Sequence, residues 1–342
     1  MKFKQKHTLM ALVTLTLIAS GCTGGGGGGG SDENAAGTNP IQATSFSASP
    51  NPAPNGNSVT FTLELSNNGN VDAENVVGKL WNPPFADGSG DTRTWRDSDE
   101  GGVSTADRSF SFGELRGQQE GVETFAQPQT LTLTAPSLSE GQSFPYNFRA
   151  EYTYKYSTDG TTTITVMDGD TYRESNSEKS QTVSISHNSA PITLEGQLLT
   201  GNPIVYYEGD SPPKTPKFCV VASNEGGGTV FSNPTGEDIY SPNGENTPGE
   251  YTYEDNENEV KLTVTSVGGT GVKDSGGGDS SFGNTAEATV ELVGGEEARK
   301  CFELEVGSLA NSGDQKEIGP INVNADYGYS ESTATEVTVN SR

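Results

Sequence analysis

The residues able to do chemistry are few. The chain holds two histidines, His7 and His187, and serine or cysteine hydrolases need a histidine base beside the nucleophile. His7 belongs to a leader that export removes. His187 stands near no nucleophile signature such as G-x-S-x-G. The cysteines are Cys22, Cys219 and Cys301. With one remaining histidine they cannot supply a His/Cys transition-metal centre. The expectation is a non-enzyme with no catalytic residue, no metal and no cofactor. Asp97-Ser-Asp-Glu-Gly101, Asp168-Gly-Asp170 and Glu254-Asp255-Asn-Glu257 carry oxygens that suit Ca2+. None has EF-hand spacing, and a chain this acidic produces such groups by composition alone. A glycosidase would need two carboxylates flanking a groove, and no pairing of that kind is marked out.

What remains is the chemistry of contact. Trp81-Asn-Pro-Pro-Phe85 and Thr94-Trp95-Arg96 hold both tryptophans of the chain, in a stretch rich in Gly, Asp and Ser. Aromatic rings beside arginine are enriched in binding hot spots, and loops carry function more often than sheets. Trp81, Phe85, Trp95 and Arg96 are therefore the partner-binding candidates. The alternative is that Trp81 closes the end of a β-sandwich and Trp95 folds over it as a lid. A second insertion, residues 232–258, carries Tyr240, Tyr251 and Tyr253.

The elements that must hold these residues read as strands. Val59, Phe61, Leu63 and Leu65 alternate with Thr60, Thr62 and Glu64. Leu131 and Leu133 alternate with threonines, and Phe148, Ala150, Tyr152, Tyr154 and Tyr156 continue the pattern. Phe302, Leu304 and Val306 oppose Glu303 and Glu305. Period two means one face buried and one wet, as in antiparallel sheets. Turns are expected at Asn67-Asn68-Gly69, Asp159-Gly160, Gly294-Gly295 and Asn311-Ser-Gly313.

The pattern occurs twice. Phe61–Gly69 matches Phe218–Gly226 through a shared Ser-Asn-x-Gly turn. Glu114-Leu115-Arg116-Gly117 matches Glu291-Leu292-Val293-Gly294, and Pro145–Tyr154 matches Pro320–Tyr329. The order is the same in both halves, so the chain is read as an internal repeat divided near His187–Pro191. Seven or so strands per copy, with no convincing helix, predict an all-β fold of two tandem sandwiches. Cys219 and Cys301 are an even pair within strands of an exported chain, which reads as one disulfide. Two unpaired buried thiols are the alternative.

The start of the chain supplies an address. Lys2, Lys4 and Lys6 precede an apolar run from Leu9 to Ile18, then Ala19-Ser20-Gly21-Cys22. These are the parts of a secretory signal, and the run is too short to span a bilayer stably. The final four residues resemble the lipobox of bacterial and archaeal lipoproteins. That resemblance implies cleavage before Cys22, a lipid on its thiol and attachment to the membrane. A plain signal peptide leaving a free thiol is the alternative. Gly24–Gly30 is an unbroken glycine run leading into polar residues, a composition that cannot bury apolar surface and serves as a tether.

The formal net charge is −26, from 46 acidic against 20 basic residues. Loss of the leader removes three lysines and no acid. Such a surface repels itself at low ionic strength and is relieved by salt, so a high-salt habitat is one reading and an ordinary acidic extracellular protein the other. Nucleic acid is excluded as a partner, because phosphate contact requires a basic patch.

Finally, Ser47–Val59, the strand Phe61–Leu65, Asn67-Asn-Gly69 and Val71–Val76 resemble the opening of CARDB-type archaeal surface modules. Pro136–Gly141 resembles a later part of that module. The resemblance implies immunoglobulin-like sandwiches in a cell-surface protein and carries no shared active site. The expected organisation is a signal peptide over 1–21, lipidated Cys22 and tether over 22–40, a first immunoglobulin-like sandwich with the aromatic insertion over 41–188, and a second over 189–342. The expected role is adhesion to, or recognition of, another surface protein or glycan at the outer face of the membrane. A structural envelope or S-layer-associated spacer is the alternative.

Overall fold

The alternating segments fold as strands, and their apolar faces meet between sheets. A computed structural model describes residues 39–85, 94–97, 108–119, 125–175, 178–207, 210, 213–232, 257–267, 270–276, 281–307 and 315–341. The leader, Cys22, the glycine run and most of residues 232–258 lie outside the described residues. The first half carries β1 (Ile41–Ser49), β2 (Ala53–Pro54), β3 (Ser58–Asn67), β4 (Ala73–Trp81), β5 (Arg96–Asp97), β6 (Ser109–Leu115), β7 (Gln127–Thr134) and β8 (Ser143–Asp168). A short helix α1 (Gly169–Glu174), β9 (Ser180–Val183) and β10 (Ser186–His187) follow. The second half carries β11 (Ile192–Asn202), β12 (Ile204–Tyr206), β13 (Lys217–Asn224), β14 (Thr229–Phe231), β15 (Glu259–Ser266), β16 (Gly271–Asp274), β17 (Thr285–Glu291), β18 (Glu297–Glu305) and β19 (Gln315–Asn340). The protein is all-β.

Three sheets result. One has the order β1-β3-β7-β5, and another β16-β18-β13-β11-β9. Between them runs a ten-stranded sheet whose main path is β17-β15-β19-β8-β4-β6. That path is a palindrome of the sequence repeat, since β17 answers β6, β15 answers β4 and β19 answers β8. Along that path each half contributes three strands and covers them with a smaller sheet, the second half's taking β9 of the first half at its edge. Phe61 on β3 lies 4.4 Å, ring to ring, from Phe148 on β8, and Phe46 on β1 meets Phe110 on β6 edge-on at 6.4 Å. Val59, Phe61, Leu63 and Leu65 are fully buried in the first half, as are Phe218, Val220, Phe302 and Leu304 in the second. Each such side chain contributes about 2 kcal/mol relative to exposure.

The halves are joined by β8 and β19, each 26 residues long. They pair antiparallel from Ser143↔Asn340 to Met167↔Gln315, with one register shift between Ile318 and Ile321. Gly319-Pro320 occupies that shift, where a proline removes a ladder donor at least cost. The turn expected at Asp159-Gly160 does not form, because β8 continues through it with Gly160 opposite Val323. The glycine serves close approach instead. His187 of β10 pairs with Gly160, and a side chain there would collide with Ile185.

The structure also shifts the sequence repeat by two residues on its last strand. In the first half a side chain at Gly69 would strike the Tyr156 hydroxyl; in the second, one at Gly226 would strike the Tyr329 hydroxyl. The surrounding turns match closely. Asn67 Nδ2 donates to the Val71 carbonyl at 2.8 Å, and Asn224 Nδ2 donates to the Gly228 carbonyl at 2.9 Å. Asn68 N bonds the Pro40 carbonyl as Glu225 N bonds that of Pro191. Tyr156 is therefore equivalent to Tyr329, and Tyr154 to Tyr327, whereas the sequence match set Tyr154 against Tyr329. A two-residue slip keeps every side chain on its face, so alternation alone cannot detect it. Tyr154 pairs with Tyr329 and Tyr156 with Tyr327, which places a local two-fold axis among four buried tyrosines.

Candidate functional site

The aromatic insertion begins where β4 ends. Asn82 has a φ of 94°, a conformation asparagine tolerates better than most residues, and the chain there leaves the sheet after Trp81. Pro84 then accepts a hydrogen bond from Trp95 N at 3.0 Å, and Phe85 bridges to Trp95. Beyond Trp95, Arg96 joins β7 opposite Thr134. The two ends of the insertion are thereby tied to both sheets of the first half.

Trp95 is not an exposed anchor. It is fully buried, with ring centroids 5.8 Å from Phe61, 5.5 Å from Tyr146 and 4.9 Å from Phe148 in edge-on contacts. In this structure it offers no surface to a partner; it fills the end of the sandwich. The loop around it is polar, so the cheapest place for a large indole is the aromatic cluster beneath.

Trp81, Phe85 and Arg96 are half-buried. Two basic residues that the sequence did not single out complete the group. Lys79 Nζ lies 4.3 Å from the centre of the Trp81 ring, and the Arg108 guanidinium lies 4.7 Å from that of Phe85. The Arg108 guanidinium over the Phe85 face gains roughly 0.5–1 kcal/mol at such a partly exposed site. Lys79 is itself fully buried, opposite Glu151 on β8 and Ser109 on β6. Alternation would have placed it in water, and only its i,i+2 relation to Trp81 hinted otherwise. Burial first, and the Arg108 charge second, lower its pKa from 10.5 to about 7, while Glu151 acts the other way.

That depression has a sign for stability. Between pH 7 and 10.5 the unfolded chain binds the Lys79 proton and the folded protein does not, so stability rises with pH. The slope reaches about 1.4 kcal/mol per pH unit. Urea midpoints should therefore be higher at pH 9.5 than at pH 7.5, and Lys79→Met should abolish the rise. An unchanged slope in the variant would count against a neutral Lys79. Tyr154 and Tyr327, buried with pKa values held well above 10.0, reverse the trend only at higher pH.

The other expected residues fall as follows. Cys219 and Cys301 are directly opposed on β13 and β18 and are joined by a disulfide with an S–S distance of 1.99 Å. Cys22 lies outside the described residues. His187 is half-buried, its Nδ1 donating to the Asn188 carbonyl at 2.8 Å. Asp168 caps α1, accepting from Asp170 N at 2.8 Å and Thr171 N at 3.3 Å. These bonds hold its carboxyl below the usual range, so the Asp168-Gly-Asp170 group serves the helix start. Asp99, Glu100 and Glu254-Asp255 lie outside the described residues. No cluster of three His, Cys, Asp or Glu placed to hold a metal occurs among the described residues. No helix of the described residues is long and apolar enough to cross a membrane.

Compared with known proteins, the chain matches no family model and no curated protein.

Proposed function

We propose that this chain is an exported, lipid-anchored cell-surface protein that recognises another surface protein or a glycan without catalysing a reaction. On this reading the halves are two immunoglobulin-like, CARDB-type modules fused through a shared sheet. The observation that carries the proposal is the pair of half-buried rings, Trp81 and Phe85, with the Arg108 guanidinium against the face of Phe85. Trp81 ends β4 and Phe85 is held by its bridge to Trp95, and rings fixed in this way lose less entropy on binding. A guanidinium among aromatics suits an anionic or carbohydrate partner, and it stands out in a chain of charge −26.

The anchor is tested by fractionation. The wild-type protein should partition with membranes and detergent, and Cys22→Ser should release it to the medium. Recovery of the wild type in the medium would refute the anchor. The acidic surface gives a further expectation. With 46 acids against 20 bases, raising NaCl from 0.1 to 1 M shortens the screening length from about 10 to about 3 Å and should raise the melting temperature. A flat response would remove the high-salt reading.

A second reading, a structural spacer of the envelope, draws support from β8 and β19. Their continuous pairing makes the halves one compact unit, as a rigid strut requires.

A further inference from the structure

Neither half closes its sandwich with its own chain. Residues 149–155 of β8 pair with β4 in the first half. The strand then runs through Asp159-Gly160, where a self-contained sandwich would turn back, and enters the second half. There it pairs with β12 and the start of β19, and its Ile164 and Val166 are buried. β19 makes the return crossing. Its residues 321–326 pair with β15 of the second half, and its residues 331–340 pair with residues 143–152 of β8 in the first. Val337 and Val339 are fully buried, opposite Tyr146 and Phe144, and Tyr146 packs on Trp95. The end of the second half therefore supplies the last strand of the first.

That strand is held mainly through its backbone. One edge lies on the β8 ladder. On the other, Asn51 Nδ2 donates to the Glu336 carbonyl at 2.7 Å, and Asn51 Oδ1 accepts from Thr338 N at 3.1 Å. Asn55 N donates to the Asn340 carbonyl at 2.9 Å, and β2 runs parallel to Val339 and Asn340. The strand itself reads Glu-Ser-Thr-Ala-Thr-Glu-Val-Thr-Val-Asn, so Val337 and Val339 are its only large apolar side chains. A strand polar on both faces for most of its length is weakly bound to one place and prone to exchange.

We infer that the first-half sandwich can take this strand from a second copy of the chain, residues 331–340 of each copy completing the sandwich of the other in a strand-exchanged dimer. The same ten residues from another copy would meet the same β8 ladder, Asn51 and Asn55, so exchange replaces every contact by its equal and costs little beyond association. Main-chain hydrogen bonds supply the affinity when a strand is added in this way. The chain would part from its own β8 between Ser330 and Glu331, where the ladder passes from one half to the other, and the pairing within the second half would stay in one chain.

The test uses the full-length chain with Cys22→Ser, which removes the unpaired thiol. Asn147 and Glu336 are exposed and directly opposite, so cysteines there should bridge as the directly opposed Cys219 and Cys301 do. A chain with Asn147→Cys is mixed with one carrying Glu336→Cys, warmed below the melting temperature and oxidised. A heterodimer bridged between positions 147 and 336 is expected. Ser332→Cys, whose opposite residue is Glu151, should bridge far less to position 147. Asn147→Cys with Glu336→Cys in one chain locks the strand in place and should lose every species above the monomer in light scattering. Asn147→Ser with Glu336→Ser should keep the dimer of the parent chain. A parent that stays monomeric at every concentration would overturn the inference. So would a locked chain that still dimerises, or equal bridging by Ser332→Cys and Glu336→Cys.

Discussion

Replacing Trp95 with alanine should lower the free energy of unfolding by about 4 kcal/mol, the usual cost of deleting a large buried aromatic. The indole is fully buried and touches Phe61, Tyr146 and Phe148, residues of both sheets of the first half. Its loss leaves a cavity that rigid strands cannot collapse. One term acts in the opposite direction. Trp95 Nε1 is buried with no hydrogen-bond partner among the described residues, and an unmet buried donor costs roughly 1–3 kcal/mol. Trp95→Phe keeps most of the ring and removes that donor, so it should cost about 1 kcal/mol or less. Urea denaturation followed by circular dichroism separates the two variants. Equal, small losses in both would show that Trp95 is not part of the core.

The second large effect belongs to the disulfide. Cys219 and Cys301 are 82 residues apart in sequence, and closing a loop of that length removes about 4 kcal/mol of unfolded-state entropy. The double replacement Cys219→Ala with Cys301→Ala should therefore be about 4 kcal/mol less stable, with the fold retained. The ladder around the bridge, from Lys217↔Glu303 to Ser223↔Glu297, does not depend on it. Wild-type protein in reductant should match the variant, because both lack the cross-link. If reduction left the midpoint unchanged, the bridge would be absent from the protein in solution.

The strands were legible because period-two burial is a local property. Phe61, Leu63 and Leu65 declare a buried face whatever strand lies beside them. Their partners were not legible, since alternation fixes faces and leaves neighbours open. Asp159-Gly160 has turn composition, yet β8 runs through it because β10 needs the missing side chain at Gly160. The two-residue slip of the repeat went unseen for the reason that makes it harmless: it moves no residue across the sheet. At the candidate site, Trp81, Phe85 and Arg96 were picked out by residue type, and the structure leaves them half-buried. Trp95 was read both as a contact residue, from its polar loop, and as a lid over the sandwich end; its size and the aromatic strands beneath it bury it as the second reading has it. Lys79 and Arg108 were missed: the spacing of Lys79 from Trp81 was its one hint, and a charged residue just before a strand, as Arg108 is, carries no signal until the fold stacks it on a ring.

The central claim is recognition by the Trp81–Phe85 surface. The most direct test is binding of a soluble form lacking residues 1–32 to isolated cell envelopes in molar salt, with Trp81→Ala and Arg108→Ala alongside. Trp95→Ala is unsuitable, because it would report folding. Recognition predicts saturable binding by the parent protein and at least tenfold weaker binding by each folded variant, equivalent to about 1.4 kcal/mol. Saturable binding that both variants retain would move the site elsewhere on the molecule. No binding by a well-folded parent would contradict recognition and leave the spacer as the better account.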